Sequence, residues 1–229
     1  MNIIGQQKSS FIDYPNNICT VYFTGGCNFK CPYCHNKDMV DNKGTKITEE
    51  DIFNFLNKRR KFIDAVCISG GEPTLQKNLY SFISRLKKEG FLVKLDTNGY
   101  RPDVLKSLID DGMLDYIAMD IKGPLEVYDK ITGINNIDLS LIEESIRLIR
   151  NSNVEYEFRT TVCKELLTKD DIVKVGNMLK GSKKYFIQNF KDGENVLCGK
   201  DKLTAFSTDE LLEIEKIIGE WFETFNIRK

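Results

Sequence analysis

The sequence lacks several features that would assign it to common classes of protein. Its 33 Lys and Arg against 34 Asp and Glu give a net charge of −1, which provides no global field to recruit nucleic acid or an anionic membrane. No apolar run approaches the roughly 20 residues of a membrane span, and residues 1–10 lack the apolar core of a signal peptide. Repeats, low-complexity segments and flexible linkers are also missing. These absences predict a cytoplasmic protein whose residues 1–229 form one domain.

Cysteine is present, but its pattern does not suit a disulfide framework. The count of seven is odd, and a chain of 229 residues buries enough core to fold without covalent cross-links. Four cysteines stand singly along the chain and are expected to be small buried side chains: Cys19, Cys67, Cys163 and Cys198. The other three share one short segment, which suggests a separate purpose for them.

Residues 26–36 contain Cys27, Cys31 and Cys34, and this spacing is the most informative feature of the sequence. Three thiolates on one loop can hold three corners of a cubane iron–sulfur cluster, which leaves the fourth iron open to a substrate. Structural zinc sites close with four ligands and typically pair two Cys-x2-Cys hooks, and the sequence has no second hook. His35, the only histidine, follows Cys34 too closely to complete a tetrahedron and is expected to pack beside the loop. The spacing therefore favours an iron–sulfur cluster over zinc.

Short β-rich apolar runs alternate with helical patterns along the chain. The runs predict strands at residues 18–24, 65–69, 92–96, 116–121, 155–162 and 185–188. Apolar periodicity predicts helices at residues 49–60, 79–89, 104–111, 141–150, 169–180 and 208–225. This alternation is typical of an α/β fold with parallel strands joined by right-handed crossovers.

The residues with chemical potential follow the predicted strands at the same end. The cysteine loop follows the first strand, residues 70–73 the second, residues 96–99 the third and residues 120–122 the fourth. Arg159 and Gln188 lie in the fifth and sixth strands. Any one of these motifs alone would indicate no more than a turn. Because the carboxyl ends of parallel strands form the active face of α/β sheets and barrels, we expect one site to contain all of them.

In the order of these motifs, the chain resembles the radical S-adenosylmethionine (SAM) superfamily, whose Cys-x3-Cys-x2-Cys signature is met by Cys27, Cys31 and Cys34. It is most similar to the glycyl-radical-enzyme activating proteins, in particular to the short branch that activates anaerobic ribonucleoside-triphosphate reductase. The matching motifs are residues 24–29, 33–36, 69–75, 95–99 and 119–122. The resemblance implies a partial (β/α)6 TIM-type barrel with parallel strands.

The resemblance also implies the cofactors. A [4Fe-4S] cluster would be held by Cys27, Cys31 and Cys34, and the amino and carboxylate groups of SAM would chelate its fourth iron. The reduced cluster would cleave the sulfonium bond to give methionine and a 5′-deoxyadenosyl radical. In activating proteins that radical removes a hydrogen atom from one glycine of a partner protein. A flavodoxin- or ferredoxin-type protein is the expected electron donor.

Further site residues are implied by the same resemblance. Gly70 and Gly71 would let the backbone approach the methionyl part of SAM, and Glu72 would face its ammonium group. The oxygen ligands of a possible monovalent cation would be Asp96, Thr97 and Asp120. The remaining expected contacts to the cofactors are Tyr33, Asn36, Lys122, Arg159 and Gln188.

Structural explanations remain open for several of these residues. Glu72 would suit the first turn of a helix, Asp120 and Lys122 would suit a surface ion pair, and Arg159 would suit a buried pairing with an acid. Asp13 corresponds to an acid that helps receive the partner's glycine loop in relatives. Capping of a turn would explain Asp13 equally well.

These expectations predict an enzyme that installs a glycyl radical on a partner protein, anaerobic ribonucleoside-triphosphate reductase. Extra cysteine clusters are missing, so no auxiliary cluster is expected. Few residues follow the last predicted helix, and a barrel without a lid would suit insertion of a protein loop.

Two alternatives remain. A small-molecule radical enzyme such as 7-carboxy-7-deazaguanine synthase usually carries Trp and Asp beside the third cysteine, where this chain has Tyr33 and His35. A non-catalytic iron–sulfur or zinc protein would leave the strand-end motifs unexplained.

Overall fold

One eight-stranded sheet dominates the computed structural model, which describes residues 1–228. The strands follow the order of the chain: β1 (Ile3–Ser10), β2 (Cys19–Thr24), β3 (Ala65–Gly70), β4 (Leu92–Thr97), β5 (Tyr116–Asp120), β6 (Glu155–Val162), β7 (Lys184–Asn189) and β8 (Thr224–Arg228). β1 runs antiparallel to β2, and every later pair of neighbours is parallel. Within residues 1–228, β1 and β8 are not paired with each other, so the barrel is partial.

Helices connect the parallel strands. They are α1 (Lys37–Val40), α2 (Glu49–Lys58), α3 (Leu79–Lys88), α4 (Pro102–Asp110), α5 (Tyr128–Thr132), α6 (Leu139–Arg150), α7 (Lys169–Leu179) and α8 (Thr208–Ile218). α7 begins with a capping box formed by Thr168 and Asp171, and α8 begins with one formed by Ser207 and Glu210. None of the described helices is both long and apolar enough to cross a membrane.

The two faces of the sheet bury different sets of side chains. Along β3, Val66 and Ile68 belong to the large core, which also includes helix residues such as Leu86. The alternate β3 residues Ala65 and Cys67 belong to a smaller cluster on the other face. Because side chains of a strand alternate between faces, this division places the helices outside the curved sheet and the smaller cluster inside it.

All six predicted strands are present, but β1 and β8 were not predicted. The helix predicted over residues 208–225 is wrong beyond Ile218, because a 3-10 turn at Gly219–Trp221 ends it and β8 follows. Phe222 and Phe225 pack on Tyr185 of β7, with ring centroids 5.0 and 5.8 Å away. This aromatic contact between elements outweighs the local helical pattern.

The same substitution at two isoleucines of α8 tests which face of this helix packs against the core. Ile214 is fully buried and Ile217 is 52% exposed. We expect Ile214→Ala to lower the free energy of unfolding by about 2–5 kcal/mol, because it removes buried methyl groups and leaves a cavity. Ile217→Ala should change it by less than about 0.5 kcal/mol. Urea unfolding of the metal-free protein measures both, and equal losses would contradict the orientation of α8.

Candidate active site

A cavity of about 610 Å³ lies at the carboxyl ends of the parallel strands, with the cysteine loop as one wall. Strands β3 to β7 each contribute residues from their carboxyl-terminal halves or from the loop that follows. The sequence-predicted residues that line it are Cys27, Cys31, Tyr33, Cys34, Asn36, Gly70, Gly71, Glu72, Asp96, Thr97, Asp120, Lys122, Arg159 and Gln188. The fold thus brings residues from widely separated motifs into one cavity, as their strand-end positions predict.

The three cysteines of the loop are free thiols. The backbone N–H of Phe29 donates to Cys27 Sγ, and that of Asn36 donates to Cys34 Sγ, both at 3.4 Å. Hydrogen bonds to sulfur stabilise negative charge on a ligating thiolate and tune an iron–sulfur cluster. The loop therefore already carries donors that a cluster would use.

Burial opposes ionisation of the Cys27 and Cys31 thiols in the absence of a cluster. Burial raises the pKa of Cys27 to about 12 and also raises the pKa of Cys31, although the Lys122 ammonium opposes both shifts. Cluster binding would therefore have to displace thiol protons. Among residues 1–228, no three His, Cys, Asp or Glu side chains are grouped to hold a single metal ion. Three cysteines that line one cavity together with Lys122 suit a multi-iron cluster with one open corner.

Backbone hydrogen bonds from distant segments hold the cysteine loop in place. They run from Glu72 N to Gly26 O (2.9 Å), Lys30 N to Thr132 O (2.8 Å), Leu197 N to Cys34 O (2.9 Å) and Cys198 N to Pro32 O (3.0 Å). The segment of residues 190–200, which lies between β7 and α8, thus contacts the loop directly. The expectation of a barrel without a lid considered only the few residues after the last helix. The segment that contacts the cysteine loop instead precedes α8.

Gly70 and Gly71 are required by the packing of the chain itself. Gly70 has φ of +118°, and a Cβ there would lie 2.3 Å from Thr24 N. A Cβ on Gly71 would lie 2.1 Å from the carbonyl oxygen of Gly26. Only glycine lets the end of β3 pass this close to β2 and the cysteine loop. An approach to a ligand, which the sequence suggests, stays a prediction.

Glu72 is only 1% exposed and connects two strand ends. Its Oε1 accepts hydrogen bonds from Thr74 N (3.0 Å) and Thr97 Oγ1 (2.8 Å), and its Oε2 accepts one from Asn98 N (2.7 Å). Burial raises the pKa of Glu72, although these hydrogen bonds oppose the shift. The carboxylate therefore caps the 3-10 turn at Pro73–Leu75, which agrees with the alternative that Glu72 serves the first turn of a helix. Glu72 also lines the cavity.

Arg159 bridges two partly buried acids. Its Nε donates to Asp120 Oδ1 at 2.8 Å, and its Nη1 donates to Asp96 Oδ2 at 3.3 Å. Lys122 Nζ lies 3.3 Å from the second oxygen of Asp120. Burial by itself would raise the pKa of Asp120, but Arg159 and Lys122 outweigh it and lower the pKa to about 2. Asp120 and Lys122 are therefore part of the cavity wall, and the surface-pair alternative is wrong.

Deeper charged residues extend this network and were missed in the sequence. Lys94 forms an ion pair with Asp96, and the buried Glu157 pairs with Arg228 at 3.3 Å. Lys94 stands two residues before Asp96, and Glu157 two before Arg159, so each pair shares one face of its strand. The spacing of two residues could therefore have identified Lys94 and Glu157 as further members of the site. Arg228 had no such signal, because it lies beyond the last predicted helix, which ends at residue 225, and β8 was not predicted.

Tyr33 and His35 flank Cys34 and both line the cavity. Tyr33 is buried, and Lys122 Nζ lies 5.9 Å from the centre of its ring. The imidazole of His35 packs against Phe190, with ring centroids 5.7 Å apart. His35 thus packs beside the cysteine loop as expected.

Asp13 is the one predicted site residue that does not line the cavity. It lies in the connection between β1 and β2, at the amino end of β2, whereas the cavity lies at the carboxyl end. Its Oδ2 accepts a hydrogen bond from Ser10 Oγ at 2.5 Å. This hydrogen bond supports the explanation that Asp13 caps a turn. A contact of Asp13 with the partner's glycine loop stays a prediction.

Comparisons with known proteins agree with this geometry. A family model described as the Radical SAM superfamily matches residues 21–179. A Methanocaldococcus jannaschii protein, provisionally named a glycyl-radical enzyme activating enzyme, is 37% identical over 96% of this chain and 92% of its own length. The pyruvate formate-lyase 1-activating enzyme of Escherichia coli K12 is 31% identical over 75% of this chain and 73% of its own length.

Solved structures share the fold at low identity. SuiB of Streptococcus suis bound to its precursor peptide SuiA has a TM-score of 0.68 at 12% identity, over 91% of this chain and 48% of SuiB. This chain therefore spans about half the length of SuiB. TYW1 with a lysine-pyruvate adduct has a TM-score of 0.62 at 19% identity, over 89% of this chain and 74% of TYW1. By the match of the family model and the identity to its curated relatives, the chain is an enzyme that belongs to the radical SAM superfamily, in the family of the glycyl-radical enzyme activating enzymes.

Proposed function

We propose that this enzyme cleaves SAM reductively and abstracts a hydrogen atom from one glycine of a partner protein. Membership of the family implies a [4Fe-4S] cluster and SAM as cofactors. The observation that carries the proposal is the cavity itself. It combines three free thiols with a partly buried network of Asp and basic side chains at the carboxyl ends of the strands.

Cys27, Cys31 and Cys34 would hold the cluster, and Asn36 would lie beside it. When bound, the reduced cluster supplies the electron that breaks the sulfonium bond of SAM. The chain contributes a cavity in which Cys31 is buried and Cys27 and Cys34 are partly buried. Low exposure also strengthens every charge–charge interaction in the cavity.

The polar wall would orient SAM. Glu72 lines the cavity, and its Oε2 accepts one hydrogen bond from Asn98 N, which leaves this oxygen able to accept another from an ammonium group. Lys122 offers a positive charge to the carboxylate of SAM. The Lys122 ammonium lies 5.9 Å from the ring centre of Tyr33, which belongs to the cysteine loop. Arg159 and Gln188 would contact the rest of the ligand from β6 and β7.

A monovalent cation would bind Asp96, Thr97 and Asp120. Both carboxylates already contact Arg159, so the cation would share their oxygens with the guanidinium. Gly70 and Gly71 would bring the backbone against the methionyl part of SAM.

The partner is proposed to be anaerobic ribonucleoside-triphosphate reductase, and the electron donor a flavodoxin- or ferredoxin-type protein in the cytoplasm. The resemblance of the sequence motifs supports these finer assignments. Residues 1–229 would act as one radical SAM domain, in which the described strands form a single sheet.

Loss of one cluster ligand tests the cofactor assignment. After anaerobic reconstitution and reduction, Cys31→Ala should form 5′-deoxyadenosine more than about 100-fold more slowly than the wild type, because the cluster loses a corner. Cys198→Ala is the matched control, since that thiol is exposed and does not line the cavity. Equal product from Cys31→Ala with a verified cluster would refute the assignment.

Lys122→Met tests the charge proposed for SAM binding. The variant keeps Asp120 paired with Arg159, and it should weaken SAM binding by about 10- to 100-fold through loss of one charged hydrogen bond. Lys130→Met, at an exposed lysine outside the cavity, serves as the control. Equilibrium dialysis with labelled SAM measures both variants, and unchanged binding by Lys122→Met would remove Lys122 from the site.

Isotope transfer tests the reaction on the partner. The reductase is prepared with α-deuterated glycine and incubated with the reduced enzyme and SAM. We expect one deuterium in each 5′-deoxyadenosine, together with a glycyl radical signal in electron paramagnetic resonance. A reductase with alanine at the radical site provides the control. Cleavage of SAM without deuterium uptake from any glycyl radical enzyme would exclude activation.

A further inference from the structure

The last strand, β8, has one free edge. Within residues 1–228 it pairs only with β7, and Thr224 N donates to Lys183 O at 2.9 Å. Because the N–H and C=O groups of successive strand residues alternate in direction, those of Phe225 and Ile227 point away from β7. Such unpaired groups form a template for another extended chain.

β8 also reaches the catalytic cavity. Arg228 lines the cavity, lies 4.1 Å above the ring centre of Phe186, and makes two hydrogen bonds of 3.3 Å to Glu157. Its side chain is still 42% exposed. The free edge of β8 is therefore continuous with the cavity rim.

The opposite edge of the sheet differs. No residue of β1 lines the cavity. At its cavity end, the backbone of Ile3 already accepts a hydrogen bond from Ile47 N at 2.8 Å. Strands β2 to β7 have neighbours on both sides. Of the described strands, β8 alone combines a free edge with a residue in the cavity.

Resting on the proposed function, we propose that β8 is the docking strand for the glycine-bearing segment of the partner protein. The segment adds to the sheet as a further strand, held by the backbone groups of Phe225 and Ile227. It leaves the edge next to Arg228 and enters the cavity there. Main-chain pairing requires only an extended segment, so it places one glycine without reading many side chains.

The first experiment uses the wild-type holoenzyme and a 15-residue synthetic peptide centred on the radical-forming glycine of anaerobic ribonucleoside-triphosphate reductase. Hydrogen exchange by NMR should show slower exchange of the Phe225 and Ile227 amides when the peptide is bound. The amides of Thr224 and Asn226 should change little, because they already face β7. Binding without slower exchange at Phe225 and Ile227 would overturn the proposal.

Modified peptides give the second readout. N-methylation of alternate residues removes the N–H groups on one edge of an extended peptide. Methylation of the edge that faces β8 should weaken binding at least about 10-fold, and methylation of the other edge should leave it within about 2-fold. Equal effects of the two patterns would contradict strand addition.

A matched pair of variants tests the contribution of the Ile227 N–H of β8 to peptide binding. Ile227→Pro removes an outward N–H and Ile227→Ala retains it, while both lose the isoleucine side chain. We expect Ile227→Pro to bind the peptide at least about 10-fold more weakly than Ile227→Ala. Thermal melting of both variants shows whether they are folded, and equal affinities of folded variants would refute the role of this N–H.

Deuterium transfer from the same peptide, prepared with α-deuterated glycine, is measured in parallel. Loss of transfer with retained protection of β8 amides would count against the proposed function. Retained transfer without protection of these amides would count against β8 docking alone.

Discussion

The bridge from Arg159 to Asp96 and Asp120 is the interaction on which the rest of the site depends. It connects β6 to β4 and β5 inside the curved sheet, at 3.3 and 2.8 Å. A buried charge without a partner would cost several kcal/mol, so each member requires the others. The network holds three strand ends at fixed separation. Charge pairs therefore connect the strand ends that form the polar wall of the cavity.

The cysteine loop has no regular structure of its own and depends on this framework. Gly71 allows β3 to approach it, and Glu72 N donates to Gly26 O at 2.9 Å. The Glu72 carboxylate then ties the same turn to Asn98 after β4. The loop is thereby held by the turn after β3, by Thr132 at the end of α5 and by the segment of residues 190–200. This arrangement leaves the three cysteines in the lining of one cavity that also contains charged residues.

Most of the fold could be predicted from the sequence because its signals are local. Alternating apolar runs and helical periodicity located the six inner strands, and the cysteine spacing located the loop. The positions of Gly70, Glu72, Asp96 and Asp120 after those strands also predicted that they would share one site. β8 could not be predicted, because residues 219–225 continue a helical pattern until Phe222 and Phe225 pack on Tyr185.

By itself, the sequence determined which residues were candidates for the site and at which end of the sheet they lie, because residue type and strand order are properties of the chain. Only the tertiary structure decided their partners. It placed Glu72 in hydrogen bonds with Thr97 and Asn98 at the end of β4, paired Arg159 with two acids, brought Arg228 to the cavity and left Asp13 outside it. Such contacts join residues far apart in the chain, and curvature of the sheet sets them. No local pattern specifies that curvature.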